Sequence, residues 1–357
     1  MSWPWLQAIG DPGLSAGWSL DEWQEATRQL RRLRLLARLA EALAAAQRLS
    51  AVPEPVVRLL LAERQNSRYR QRVVAFAATR IARTLQGLGG PLVLLKGSAY
   101  LAERLPIAAG RLPSDLDILV PEAALAQALR LLLAEGWQEP ELDAHDRRYY
   151  HEWSHEVPPM RHPMHPVELD LHHNILPPLG PVAIDMAPLL NDCRPCGWPG
   201  WSVLAPVDQV LHSAAHLFHD SEPLERMRDL VDLDGLLRHH TGRDSGFWTA
   251  LQQRAAALGL EEPLLLAGHF CRAWLGTPID ATLEERMQRA GPRQRLLRTL
   301  FGAVLAPAPL DRPRPRAQRL GAVALLWRYH LRRLPPRLLV PHLWHKLHRR
   351  GADPTPR

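Results

Sequence analysis

Apolar positions in the first ninety residues recur at helical spacing. Leu30, Leu33, Leu36 and Leu39 form a stripe among arginines, which predicts one long helix from Ser19 to about Ser50. Ser19 with Glu22 three residues later has the spacing of a capping box at its start. Pro53 and Pro55 interrupt the pattern, and a second long helix is expected over 56–88. The period then changes. Leu92-Val93-Leu94-Leu95 is a short apolar run bounded by turn residues, as in a buried strand. It leads through Lys96-Gly97-Ser98 into a helical segment over 99–105. In Gly110 to Val120, Asp115 and Asp117 alternate with Leu116, Ile118 and Val120, so a strand here puts both carboxylates on one face and the aliphatic residues on the other. A helix over 121–136 follows, with Leu125, Leu129, Leu132 and Leu133 on its apolar face. Val167 to His172 alternates again: Val167, Leu169 and Leu171 face one way, and Glu168, Asp170 and His172 the other. The polar stretch before it holds a candidate strand over 152–157.

Residues 175–207 are rich in Pro and Gly, a plausible domain boundary. Beyond them only helical periods occur, over 208–219, 224–238, 247–258, 263–275, 283–288 and 293–304. The fold class is therefore α+β: a small mixed β-sheet core with a helical N-terminal region and an all-helical C-terminal domain. The expected division is 1–90 for the helical N-terminal region, 91–200 for the core, 201–311 for the helical C-terminal domain and 312–357 for a basic amphipathic tail.

Charge refines this picture. The 357 residues carry a net charge of +7, but from Arg286 onward 17 Lys and Arg oppose only Asp311 and Asp353, which is 17 − 2 = +15; residues 1–285 then carry 7 − 15 = −8. A basic end can bind RNA or another acidic surface, or simply solvate a helical domain. Lys96 and Lys346 are the only lysines. No apolar run reaches the ~20 residues needed to span a bilayer, and no secretory leader is legible, so the expected compartment is the cytoplasm. Three cysteines give no disulfide framework. Cys193 and Cys196 form a CxxC without a second pair, more often a bland loop than a zinc site. The histidines over 145–165, and His212, His216 and His219 on one helix face, fit surface and packing roles better than ligation.

Two carboxylates side by side on a rigid strand repel each other, and a divalent cation between them and a phosphate removes that cost. A strand followed by small residues and a helix start lets backbone N–H groups approach phosphate. Asp170 adds a third carboxylate on another strand. Mg²⁺ takes oxygen ligands and commonly uses a few carboxylates plus substrate phosphates; two such ions can clamp the attacking and leaving oxygens of a displacement.

The Leu-Lys-Gly-Ser turn at 95–98, the Arg-Leu-Pro-Ser-Asp-Leu-Asp-Ile-Leu-Val run at 111–120 and the Glu-Leu-Asp-Leu-His strand at 168–172 resemble, in that order, the DNA polymerase β-like nucleotidyltransferase superfamily. More narrowly they resemble a bacterial family of uncharacterised nucleotidyltransferases, over about residues 70–240. The resemblance implies Mg²⁺-dependent transfer of a nucleoside monophosphate from an NTP to a hydroxyl-type acceptor, small molecule, protein or RNA, with release of pyrophosphate; Mn²⁺ could replace Mg²⁺. It implies metal ligation by Asp115, Asp117 and Asp170, with Asp170 a base for the attacking hydroxyl, and phosphate contacts from Gly97 and Ser98. Lys96, Arg111 and Arg104 are further candidates to neutralise phosphate. His172 matches the family's histidine, Glu168 is a reserve third ligand, and His173 stands where the pattern has tryptophan. The longer spacing from Ser98 to Asp115 implies an inserted loop over 105–110 hanging over the site. The alternatives are an inactive nucleotide-binding or regulatory module, and an RNA-binding protein that uses its basic end.

Overall fold

A computed structural model describes residues 3–143, 148, 150, 153–180, 182–219 and 223–333. Its centre is a six-stranded mixed sheet in the order β3-β4-β2-β1-β6-β5. The strands are β1 (Val93–Leu94), β2 (Asp115–Leu119), β3 (Met160–His162), β4 (His165–His172), β5 (Arg194–Pro195) and β6 (Ser202–Val203). β2 runs parallel to β4 and antiparallel to β1. Leu116, Ile118, Leu169 and Leu171 are fully buried, so the alternation read from the sequence sets which sheet face packs and which carries acid. β5 and β6 lie inside the stretch expected to be a boundary. Trp201 anchors it by donating from Nε1 to Ala78 O at 3.1 Å, and β6 pairs with β1, so the 175–207 segment closes the sheet.

The N-terminal stripe is buried as expected, but on two helices, α2 (Leu20–Arg32) and α3 (Leu36–Ala45), after the short α1 (Pro4–Gln7). The break falls at Arg34, which adopts a left-handed φ of 60°. Ser19 and Glu22 form the capping box at the start of α2. The next helix, α4 (Glu54–Thr84), starts on Pro53 and packs on α3 and β4. Midway along it, Ser67 Oγ and Gln71 Nε2 donate to the Arg111 carbonyl at 2.9 and 2.8 Å, and Gln71 also holds the Ala108 carbonyl at 2.9 Å. The loop expected to overhang the site is therefore pinned down: Pro106–Ala108 is a 3₁₀ turn with Ile107 and Ala108 buried. Gly110, at φ +67°, lets its backbone pass against α3, where a Cβ would sit 2.4 Å from the Ala37 carbonyl oxygen.

The helix before Lys96's partner strand is α5 (Lys96–Ala102), and α6 (Glu122–Glu135) follows β2, ending on Gly136 at φ +105°. Its buried face is Ala124, Ala128 and Leu132, whereas Leu133 is exposed; the smaller alanines let α6 approach its neighbours closely. After α7 (Met186–Asn191), the remaining described chain is helical: α8 (Pro206–His219), α9 (Met227–Thr241), α10 (Phe247–Ala257), α11 (Glu261–Leu275), α12 (Ala281–Gln288), α13 (Pro292–Leu305) and α14 (Arg316–Arg333). α8 is buried along nearly its whole length and packs on α9, α10 and α11. α14 packs on α13, and Arg328, Arg332 and Arg293 converge on Glu262 at 2.7, 2.8 and 2.7 Å. Part of the basic excess is thus spent on internal ion pairs. The amphipathic piece expected over 338–348 lies outside the described residues. Among the described residues no helix is long and apolar enough to cross a membrane.

Candidate active site

The parallel ladder between β2 and β4 puts Asp117 directly opposite Asp170 and Asp115 opposite Glu168. Asp115, Asp117 and Asp170 therefore share one sheet face, held there by the aliphatic residues that alternate with them. Glu168 is drawn away from this group by Arg161 of the edge strand, whose Nε donates to it at 2.7 Å. The reserve ligand is thus already paired.

Asp117 is nearly buried and already meets two cationic side chains at one oxygen. Lys96 Nζ donates to Oδ1 at 2.7 Å, and His172 Nε2 lies 3.2 Å from the same atom. Lys96 reaches it from the junction of β1 and α5, where its backbone takes a left-handed φ of 45°. That conformation is uncommon for a side-chain-bearing residue and marks an over-determined position. Burial alone would raise Asp117, but Lys96 and His172 more than offset it and hold the carboxyl well below its ordinary range. Burial opposes charge on Lys96 too, and the Asp117 carboxylate outweighs it, so the ammonium is held more firmly protonated than usual. His172 follows the same logic: burial disfavours its charge, but Glu156 and Asp117 raise it. Asp170 goes the other way. Burial, and then the charges of Asp117 and Glu156, push it up to about 8. The face therefore holds more carboxylate than its own cations neutralise.

Gly97 and Ser98 lie in the first turn of α5 and are buried. Arg111 covers Gly97: a Cβ on that glycine would sit 1.7 Å from Arg111 Nη1. Arg111 in turn donates from Nε to Asp232 Oδ2 at 3.0 Å, and Arg38 pairs with the other oxygen of Asp232. All three side chains are about 95% or more buried. Arg111 is thus committed to an internal triad, with Tyr100 beneath its guanidinium at 5.7 Å. Arg104 is exposed beyond the end of α5.

The sequence reading missed Asp232, Arg38 and Glu156. Asp232 and Arg38 lie on helices without chemical pattern, and only their charge at otherwise apolar helix positions could have marked them. Glu156 falls in the candidate strand over 152–157, whose described part forms a bridge opposite His172. There His172 Nδ1 is 3.3 Å from Glu156 Oε2. Among the described residues, His155, Glu156 and His172 are the group of three whose ligand atoms lie within 4.8 Å of one another; the three aspartates are not drawn so close. Their all-carboxylate donor set, one-sided and mutually repelling, nevertheless suits a hard divalent ion such as Mg²⁺.

On α8 His212 is buried and His216 and His219 are half-buried; desolvation first pushes all three to low values, about 3 for His212, about 4 for His219 and well below the ordinary range for His216. They are neutral, and His216 Nδ1 accepts from Arg226 Nη2 at 3.0 Å. Burial pushes the Cys193 thiol up to about 12, and it donates to the Leu189 carbonyl, as Cys196 does to its loop. A cavity of about 1010 Å³ lies between the N-terminal segment and α9 and includes none of the three aspartates.

A family model described as uncharacterised nucleotidyltransferase matches residues 19–276. No curated protein and no solved structure matches the chain.

Proposed function

Because the chain belongs to the uncharacterised nucleotidyltransferase family, we propose that its acidic sheet face catalyses Mg²⁺-dependent transfer of a nucleoside monophosphate from an NTP to a hydroxyl-type acceptor. The observation that carries this reading is the register that sets Asp117 against Asp170 with Asp115 on the same face. Asp170, pushed up to about 8 by burial first and then by the charges of Asp117 and Glu156, sits where an added cation would be stabilising. Asp115, Asp117 and Asp170 would hold the metal, which when bound supplies charge neutralisation to the triphosphate. Lys96 would add its fixed positive charge to the same oxygens. The acceptor oxygen attacks the α-phosphorus, the bond to pyrophosphate breaks, and the hydroxyl proton passes to the carboxylate of Asp170. Gly97 and Ser98 would contribute through the backbone of the first turn of α5; at Gly97 the side-chain space is closed by Arg111.

One observation favours a second reading, a nucleotide-binding module without turnover. Lys96 and His172 already satisfy one oxygen of Asp117, as an internal cation would if the metal were no longer used. The test separates the two. Mg²⁺, each α-labelled NTP and a cell lysate are offered to the wild type and to Asp115→Ala/Asp117→Ala. Label transferred by the wild type alone supports transfer, and the labelled fraction identifies the acceptor class. Equal labelling by both proteins removes the aspartates from the mechanism. No labelling, with NTP binding retained, leaves the binding module.

A further inference from the structure

Beside the carboxylate face, the described residues bring together a second set of ligand atoms of different chemistry. Val157 N–H donates to Leu171 O at 2.9 Å and His173 N–H to His155 O at 2.9 Å. These bonds lay residues 155–157 along the end of β4 and set Glu156 against His172. His172 Nδ1 is 3.3 Å from Glu156 Oε2, and His155 Nε2 is 3.9 Å from the same oxygen. Ligands at the ~2.0–2.1 Å bonds of a tetrahedral ion stand roughly 3.3 Å apart, so small side-chain rotations close the group.

Two further observations point to a ligand here. His172 is buried, yet its Nδ1, the nitrogen turned toward Glu156, makes no hydrogen bond. The other nitrogen of His172 faces Asp117 Oδ1 at 3.2 Å. Histidines that bind a metal almost always donate their second N–H to a carboxylate or carbonyl, which fixes the tautomer. Two imidazoles and one carboxylate suit a borderline ion such as Zn²⁺ and not Mg²⁺. His155 and Glu156 border a cavity of about 220 Å³, lined also by Ser154, His216, His219 and Arg333, which leaves room for a water in the fourth position.

We infer that His155, Glu156 and His172 bind one divalent cation of the Zn²⁺ class, which orients Asp117 through the second nitrogen of His172. Binding stands apart from nucleotidyl transfer; only the orienting role rests on that reading.

The test uses the full-length, untagged chain after dialysis against a chelator. Zn²⁺ is titrated against a fluorescent chelator, and Co²⁺ is added in parallel to read the visible spectrum. One Zn²⁺ per chain is expected, with affinity reduced about 10–100-fold in His155→Ala and in Glu156→Gln, and retained in Cys193→Ser/Cys196→Ser. The Co²⁺ spectrum of the wild type should show d–d bands of a nitrogen and oxygen site without thiolate charge-transfer bands. This reading is independent of whether a variant folds, which circular dichroism checks. No stoichiometric uptake, uptake unchanged in both variants, or thiolate bands overturns the inference. Transfer activity without Zn²⁺ uptake sinks this site alone, whereas Zn²⁺ uptake without transfer sinks the nucleotidyl-transfer reading and keeps the site.

Discussion

At the scale of single residues, Lys96 and Asp170 divide the electrostatics of the acidic face between them. Lys96 sits on Asp117 at 2.7 Å, so Lys96→Met should leave a nearly buried carboxylate facing His172 at 3.2 Å. The expected result is a metal-free protein destabilised by roughly 1–3 kcal/mol, with a larger rise in Tm on adding Mg²⁺ than the wild type shows. An equal Mg²⁺ response in both proteins would separate Lys96 from the metal site. Asp170 gives a pH prediction. Its carboxyl titrates at about 8 in the fold against about 4 in an unfolded chain. The folded state thus binds more protons between those values, and stability must fall as pH rises across that window. His172 is raised too, so its contribution is full below about 6.5 and is lost as pH passes its folded value. Asp117 is depressed and contributes above its unfolded value, with loss only in strong acid. The neutral histidines of α8 act in the opposite sense below about 6.5, where the unfolded chain binds their protons and the fold does not, so urea unfolding in chelator should show stability falling from about pH 7 to 8. Asp170→Asn should flatten most of that slope, and Mg²⁺ should restore stability more at pH 8 than at pH 6. A slope unchanged in Asp170→Asn would assign it to other groups. The sequence showed which carboxylates share the face, because strand alternation dictates it. It could not show that Lys96 pairs with Asp117, because that contact follows from a left-handed backbone at one residue.

At the scale of elements, the small residue at the start of α5 has a structural reason visible only in three dimensions. Gly97 leaves room for the Arg111 guanidinium, and a Cβ would meet it at 1.7 Å. Gly97→Ala should therefore push Arg111 off Asp232 and destabilise the protein by about 2–4 kcal/mol, as read by chemical denaturation, before any question of nucleotide binding arises. Gly97→Ala with wild-type stability would mean that α5 shifts freely. The elements themselves were legible where one period ran long enough, as in α4, β2 and β4. The break between α2 and α3 was not, because the apolar stripe runs on through Arg34 and only the backbone turns there. On α6 Leu132 is buried and Leu125 and Leu129 pack partly buried against the core, so the expected apolar face fails at Leu133 alone. Leucines outweigh alanines in any hydrophobic count, yet Ala124 and Ala128 are buried and Leu133 is exposed, because close approach of a helix rewards small side chains. The strands β5 and β6 were hidden in a Pro, Gly and Trp-rich stretch, two residues each, too short for any period to register.

At the scale of the whole molecule, the segments read as separate regions are joined by one buried charge. Asp232 on α9 pairs with Arg38 from α3 and with Arg111 from the loop that enters β2, so a single carboxylate ties the N-terminal helices, the sheet and the C-terminal helices. Burial opposes charge on Asp232, but the two guanidiniums more than offset it and hold the carboxyl below its ordinary range. Removing one partner from such a group leaves uncompensated buried charge, a penalty of about 3–5 kcal/mol. Asp232→Ala leaves two facing guanidiniums and should cost that much or more. Arg38→Met leaves Asp232 paired with Arg111 and fills most of the vacated space, so it should cost distinctly less. Hydrogen exchange on Asp232→Ala should show protection falling together in α3, in the segment around Arg111 and in α9, because each loses the same anchor. If only α9 loosens, the three regions are stabilised independently and the triad is a local pair. If all three loosen together, folding of the acidic face is coupled to helices that contribute no carboxylate to it, and the chain from α2 to α11 behaves as one cooperative unit around the site.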